Sequence, residues 1–277
     1  MMLLSPFTPL FFLEGHKCDG RASDYIQTFS TTDRIFIELF GDGTKQPVIR
    51  VYKEPCGELF FDVQPSEWRV NDSIVLTFAT LCFNPGTFSV EIEGIGKSEP
   101  FRVTDDKRIL ADTTLIQYSM RDNRQRNDVI FFIDGMQYFF DFRVPGGFKD
   151  EGWTFGVESE QFVTQYSDIA QLYGLESTQK TFTLGGSQGV PVWFGELLNR
   201  ILVCSHVYFD GVKYTRKDTS VPELNVQLEG VNSFVFSQLL QRSVNLDPVL
   251  EAANHIRLRR VGEKALRITN PNMYRKI

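Results

Sequence analysis

Histidine is scarce in this chain, with three in 277 residues, beside four cysteines and three tryptophans. The cysteines, at positions 18, 56, 82 and 204, form no C-x-x-C pair. That excludes a disulfide-dense scaffold and leaves free, mostly buried thiols as the expectation, with a reducing compartment. At this length roughly 70–75% of the unfolded surface can be buried, so no covalent or metal staple is required. No apolar run is long enough for a transmembrane helix, and no membrane insertion is expected. The apolar start, Met1–Leu13, has no basic residue before its apolar stretch and is broken by Pro6 and Pro9. No small-residue cleavage site follows it, so it does not read as a secretion signal. A phosphate-cradling G-x-x-x-x-G-K-[ST] is missing too. No internal repeat or low-complexity segment is present.

Phenylalanine, by contrast, is abundant: 25 residues against nine tyrosines. This favours strands. Short apolar runs come at close spacing over Arg34–Phe40, Val48–Lys53, Glu58–Val63, Ser73–Thr80, Thr87–Glu93 and Glu99–Val103. Turn residues such as Gly41-Asp42-Gly43 and Asn84-Pro85-Gly86 separate them. Six strands with regular turns and no helical period predict an antiparallel β-sandwich over residues 1–110. The charged stretch Thr104–Asp112 is the expected boundary.

A β-rich domain with one principal helix is expected over residues 111–243. Two Asp-Gly pairs, Asp134-Gly135 and Asp210-Gly211, sit between apolar runs and predict type I′ hairpins. The first hairpin, Val129–Val144, carries aromatics on both faces, so both faces should be covered, by another layer or by another chain. Gln161–Gly174 reads as partly helical. The principal helix is expected at Val190–Val203, where Val190, Phe194, Leu197 and Ile201 fall at i, i+4, i+7 and i+11. Asp247–Asn254 suggests a short helix, and Ile256–Ile268 a last hairpin.

Several residue groups could carry chemistry. Gly185-Gly186-Ser187-Gln188-Gly189 spells G-x-S-x-G between an expected strand and the helix, and Asp210, Asp218 or Asp247 with His255 could complete a triad. A nucleophile elbow belongs to a parallel α/β sheet, however, and this chain offers one firm helix and many hairpins, so a plain loop is expected. His16-x-Cys18 and Cys204-x-His206 could supply four zinc ligands, but structural zinc pairs more often have two to four intervening residues. A half-buried histidine beside a core cysteine is the simpler expectation. Acidic pairs such as Glu158/Glu160 and Asp105/Asp106 identify no glycosidase. Trp68, Trp153 and Tyr208 suit sugar stacking, and suit a core or an interface better. The expectation is thus no catalytic residue, no cofactor, no metal and no small-molecule substrate.

Charge is unevenly placed. Residues 256–277 hold seven basic residues against one acid, a net +6, which leaves −12 for the rest of a chain whose total is −6. Residues 244–277 therefore form a basic C-terminal arm. Its arginines Arg257, Arg259, Arg260 and Arg267 are candidate subunit-interface residues, together with Phe132 and Phe140 from the aromatic hairpin. Nucleic-acid binding is not expected, because the acidic body would repel phosphates.

The segment Gly189-Val190-Pro191-Val192-Trp193-Phe194-Gly195-Glu196-Leu197-Leu198-Asn199-Arg200-Ile201 is followed by Cys204-Ser205-His206-Val207-Tyr208-Phe209-Asp210-Gly211-Val212. With Lys213-Tyr214 and Ser220-Val221-Pro222-Glu223, it resembles a segment of structural proteins of phages and prophages of Bacteroidetes-type gut bacteria, in the tail or baseplate. The resemblance spans roughly residues 98–240 and brings no catalytic motif. It implies a virion component, assembled in the host cytoplasm into a homo-oligomeric ring around the tail axis, in contact with other tail proteins. Two other readings are a carbohydrate-binding or adhesin module and a serine hydrolase using Ser187.

Overall fold

The computed structural model describes residues 2–12, 25–149, 153–163, 165, 167–187, 189–217, 223–228, 233–243, 258–261 and 265–268. The fold is mainly β. Among the described residues, ten strands precede the first helix: β1 (Leu3–Leu4), β2 (Gln27–Ser30), β3 (Ile35–Gly41), β4 (Ile49–Lys53), β5 (Glu58–Val63), β6 (Ser66–Arg69), β7 (Val75–Leu81), β8 (Gly86–Ile92), β9 (Gly96–Lys97) and β10 (Phe101–Thr104). They form two sheets, β1-β3-β7-β6 and β2-β10-β8-β4-β5, with β9 paired to β8. Every pairing is antiparallel except β10 with β2, which run parallel from Phe101 opposite Gln27.

The expected sandwich core is present, filled by Ile35, Ile37, Leu39, Ile49, Val51, Phe88, Val90 and Phe101. Alternation along β3 then does something further. Phe36, Glu38 and Phe40 point the other way, and all five residues of Ile35–Leu39 are buried. Phe36 and Leu76 belong to the core of the second half of the chain. The β1-β3-β7-β6 sheet is therefore a middle layer with both faces covered.

Helix α1 (Lys107–Ala111) follows, with Asp106 as its N-cap, accepting from the Arg108 N–H. The second half holds β11 (Thr113–Ser119), β12 (Phe132–Ile133), β13 (Met136–Gln137), β14 (Phe140–Phe148), β15 (Thr154–Val163), β16 (Ile169–Leu184), helix α2 (Val192–Ile201), β17 (His206–Phe209), β18 (Val212–Arg216), β19 (Glu223–Leu228) and β20 (Ser233–Arg242). A final hairpin joins β21 (Leu258–Val261) to β22 (Ala265–Ile268).

Six of these strands close on themselves. β11 pairs with β14 and β17, β17 with β18, β18 with β20, β20 with β16, and β16 back with β14, all antiparallel. Closure removes the open edges that invite uncontrolled pairing. Residues at paired positions share a face, so Ile116, Phe142, Phe148, Phe182, Leu184, Phe209 and Tyr214 meet within it. Phe148 lies 4.6 Å, centroid to centroid, from Tyr214, and Phe182 lies 4.8 Å from Phe209. Helix α2 buries Phe194, Leu197, Leu198 and Ile201 in the same core, with Phe194 5.2 Å from Phe142.

Four expectations need correction. Gln161–Gly174 is not helical: it forms the ends of β15 and β16, a long hairpin with a register shift between Glu160 and Gln161. The Val129–Val144 hairpin is short, only β12 against β13 around Asp134-Gly135, because the chain breaks its ladder before β14. Helix α2 is shorter than the expected Val190–Val203: it runs over Val192–Ile201, with Pro191 as its N-cap. Finally, Cys56 and Cys82 are exposed, and only Cys204 of the described cysteines is buried. The expected helix at Asp247–Asn254 lies outside the described residues.

Candidate functional site

The G-x-S-x-G loop follows an antiparallel strand, β16. Its glycines sit where backbones cross. A Cβ on Gly185 (φ +120°) would lie 2.7 Å from the Phe234 carbonyl oxygen, and one on Gly189 (φ +73°) would collide with Ser233 Oγ. The Gly185 N–H donates to the Pro145 carbonyl, and Val190 and Phe234 exchange backbone hydrogen bonds. Close approach of the loop to β14 and β20 thus accounts for the glycines. Ser187 itself is exposed. Asp210 is engaged elsewhere: its carboxylate accepts from the Leu115 N–H at 2.9 Å and ties the second Asp-Gly turn to β11. Asp218, Asp247 and His255 lie outside the described residues.

Cys204 and His206 are both buried. Burial pushes the Cys204 thiol up to about 12 and the His206 imidazole down to about 4. The first is therefore no thiolate at neutral pH. No group of three or more potential metal ligands occurs among the described residues, and the His16/Cys18 pair lies outside them.

A polar seam joins the sandwich to β14. Arg143 grips Asp33 with two parallel bonds, Nε to Oδ2 at 2.6 Å and Nη2 to Oδ1 at 2.8 Å. Nearby, Asp141 accepts from the Arg34 backbone N–H at 2.9 Å and from Gln117 Nε2 at 2.8 Å. Desolvation outweighs those bonds and raises the Asp141 carboxyl to about 7. Glu38, on the face of β3 turned to the second half, accepts from the Ile130 N–H at 2.6 Å, and burial raises its carboxyl well above the usual range. These groups weld the two halves and offer no opening to a ligand. An open groove of about 540 Å³ is lined by Met120, Gln125, Arg126, Asn127, Asp128 and Val203. Its charged side chains are paired with each other, Arg126 Nε to Asp128 Oδ1 at 2.7 Å.

The hairpin of β15 and β16 is the exposed feature. β14 pairs with β16 only at Phe182–Leu184, and β20 only at Gln179–Leu184. Residues 169–178 of β16 therefore have β15 as their only strand neighbour among the described residues, and the pair projects as an arm. Ten residues at about 3.4 Å each give it a reach of roughly 34 Å. Trp153 (42% exposed) at its root is followed by Phe155 (75%), Val157 (66%), Phe162 (57%), Val163 (60%), Ile169 (65%) and Leu172 (64%). Trp153, Phe155 and Val157 alternate onto one face, where Lys180 Nζ sits 3.3 Å from the Trp153 ring centre. Between Thr154 and Gln179 there are four acids, Glu158, Glu160, Asp168 and Glu176, and no basic residue.

The predicted interface residues fare differently. Phe140 is fully buried against Phe36, Tyr118 and Phe131 of its own chain, which withdraws it from any subunit contact. Phe132 is half-buried, opposite Gln137. The aromatic hairpin has its second layer within the chain, in the middle sheet. Arg259, Arg260 and Arg267 lie on the last hairpin, with Arg259 opposite Arg267 in register; Arg257 lies outside the described residues. Of the arm's apolar residues, sequence reasoning named only Trp153, as suited to a core or an interface, and missed the rest. Their signal was the alternation Trp153, Phe155, Val157.

No protein-family model and no curated protein matches the chain. Among solved structures it is similar to a chain in the crystal structure of Dpr2 Ig1-Ig2 in complex with DIP-Theta Ig1-Ig3. The identity is 6%, 80% of this chain and 88% of that one are covered, and the TM-score is 0.17. A likeness of that size carries no argument about fold or function.

Proposed function

We propose that this chain is a structural subunit of a phage virion, a tail or baseplate component that assembles by protein–protein contacts into a ring. The observation that carries the reading is the arm. A chain that closes its second sheet, and covers both faces of its middle layer, still holds out seven large apolar side chains on one projection. Exposed apolar area concentrated in this way marks a contact surface. An arm that docks away from its own root makes a head-to-tail contact, which closes into a ring when the rotation allows. The resemblance over residues 98–240 supplies the virion context. Sedimentation velocity over a range of concentrations, with negative-stain imaging, tests this. A discrete closed oligomer is expected, and a monomer at every concentration removes the reading.

One observation favours a second reading. Trp153 and Phe155 stand exposed with ring centroids 5.9 Å apart, an arrangement that suits stacking on a sugar face. Glycan-array binding lost in Trp153→Ala would favour the adhesin module over the ring subunit. Labelling by a fluorophosphonate probe that vanishes in Ser187→Ala would instead favour a hydrolase.

A further inference from the structure

We infer that the β15–β16 arm of one copy inserts its outer half into the open groove beside Val203 on a second copy. This rests on the assembly reading and names the two surfaces that meet. The strand register sets them at opposite ends of the sheet. β11 runs from Thr113, opposite Pro145, to Tyr118, opposite Phe140. β14 continues past Pro145 to Phe148, opposite Phe182 of β16, and the arm extends onward in that direction. The groove opens at the other end, where Met120 follows β11 and Val203 precedes β17. The exposures agree: Phe162, Val163, Ile169 and Leu172 of the arm and Val203 of the groove are each more than half exposed in the same chain. A projection at one end and a groove at the other meet head to tail between copies.

Charge complementarity selects this partner. From Glu160 to Leu172 the arm carries two acids, Glu160 and Asp168, and no basic residue. The groove, about 540 Å³, offers Met120 and Val203 as its apolar part. Arg121 and Arg124, on the loop that forms one wall, are exposed, and neither side chain has an ion pair among the described residues. The acids of that loop are engaged: Asp128 holds Arg126, and Asp122 accepts from the Arg124 backbone N–H at 3.0 Å. The positive field reaches inside the chain as well. Desolvation first, then Lys213 and Arg121, push the nearby His206 down to about 4. Apolar burial would hold the contact, and the two arginines facing the arm's carboxylates would orient it and disfavour a second acidic surface in the groove.

The test is charge reversal and its rescue in the full chain, read as the concentration at half-assembly in sedimentation velocity. R121E/R124E and E160K/D168K should each raise that concentration about tenfold or more while keeping the thermal transition. The chain carrying all four substitutions should return to within about threefold of the parent, because the two changes are coupled through one contact. V203E, at an exposed site in the groove, should weaken assembly without any change in the arm. If a double variant loses its thermal transition, the exposed single substitutions R124E and E160K, and their combination, take its place. Two outcomes overturn the docking while leaving assembly standing: groove variants that assemble like the parent, or two weakened variants with no recovery on combination. A parent protein that stays monomeric at every concentration overturns both.

Discussion

Phe182 and Phe155 belong to the same hairpin and meet opposite fates. Phe182, near the end of β16, is fully buried among Phe148, Phe209 and Gln238. Phe155, on β15, is 75% exposed. β16 is continuous between the two environments, so local propensity does not distinguish them. The difference is the number of neighbouring strands. Where β14 and β20 flank β16, a closed sheet with α2 against it covers the inward face. Where only β15 remains, a two-stranded ribbon has no layer of its own to cover either face. Core and contact surface are thus made from one residue type by topology alone.

The largest effects should come from the buried end. Phe182→Ala is expected to cost about 3–5 kcal/mol of unfolding free energy, since it opens a cavity among rings that cannot collapse freely. Phe155→Ala should change it by less than about 0.5 kcal/mol, as for a surface site. Urea or guanidinium titration of the isolated chain measures both. Equal losses would mean that the arm is packed in solution and that the contrast is false.

Arg143→Ala is expected to be similarly costly, about 3–5 kcal/mol, for a different reason. The Asp33–Arg143 pair is nearly inaccessible, with side-chain exposures of 1% and 10%, and removing one partner strands the other's charge. Replacing both by apolar residues of similar size should cost less than Arg143→Ala alone. A double variant that loses more would show that the seam is held by the wider network, through Thr113 Oγ1, which accepts from Arg143 Nη1 at 3.1 Å, and through Gln117 on Asp141.

The third comparison lies within the glycine loop. Gly189→Ala should cost about 1–3 kcal/mol, because φ is +73° there and the added carbon meets Ser233 and Phe234. Exposed Ser187→Ala should stay within about 0.5 kcal/mol. Thermal unfolding of the two variants side by side separates a scaffold loop from one that tolerates change throughout.

These contrasts also mark what was legible in sequence. Helix α2 was, because its apolar residues fall at 3.6-residue spacing around a single stripe. Both Asp-Gly turns were too, since Asp134 (φ 50°) and Asp210 (φ 47°) take the left-handed conformation that type I′ turns demand. The alternation of β3 revealed a strand, but not that its second face would bury Glu38 under Ile130. The arm was misread because Phe162, Ile169 and Tyr173 fall at i, i+7 and i+11 and mimic a helical stripe. Ring closure was invisible, since β16 meets both β14 and β20 through pairings set by distant parts of the chain. The aromatic hairpin was correctly read as two-sided, but sequence could not say that its second layer would be the chain's own.

The last expected effect is a change of slope rather than a single loss, and it sharpens the contrast between buried and exposed carboxylates. Asp141 is desolvated, and its carboxyl is raised to about 7 in the fold, against about 3.9 for an unfolded aspartate. Between these values the folded chain holds a proton that the unfolded chain has released. Its contribution to stability is fully present below about pH 4 and is lost as pH rises through about 7. Glu99, also raised to about 7 by burial, acts in the same direction. His206 acts oppositely: lowered to about 4, it contributes stability above about 6.5 that is lost as pH falls. The absolute profile is therefore a compromise, and the informative quantity is a difference. Asp141→Asn removes one titration but keeps an oxygen for only one of the two donors, the Arg34 N–H or Gln117 Nε2. The variant should be less stable than the parent at pH 4.5, and the gap should narrow steadily toward pH 7.5 in thermal midpoints taken at each pH. A gap that stays constant would mean that Asp141 remains charged throughout, with Arg143 and the two donors outweighing the loss of water.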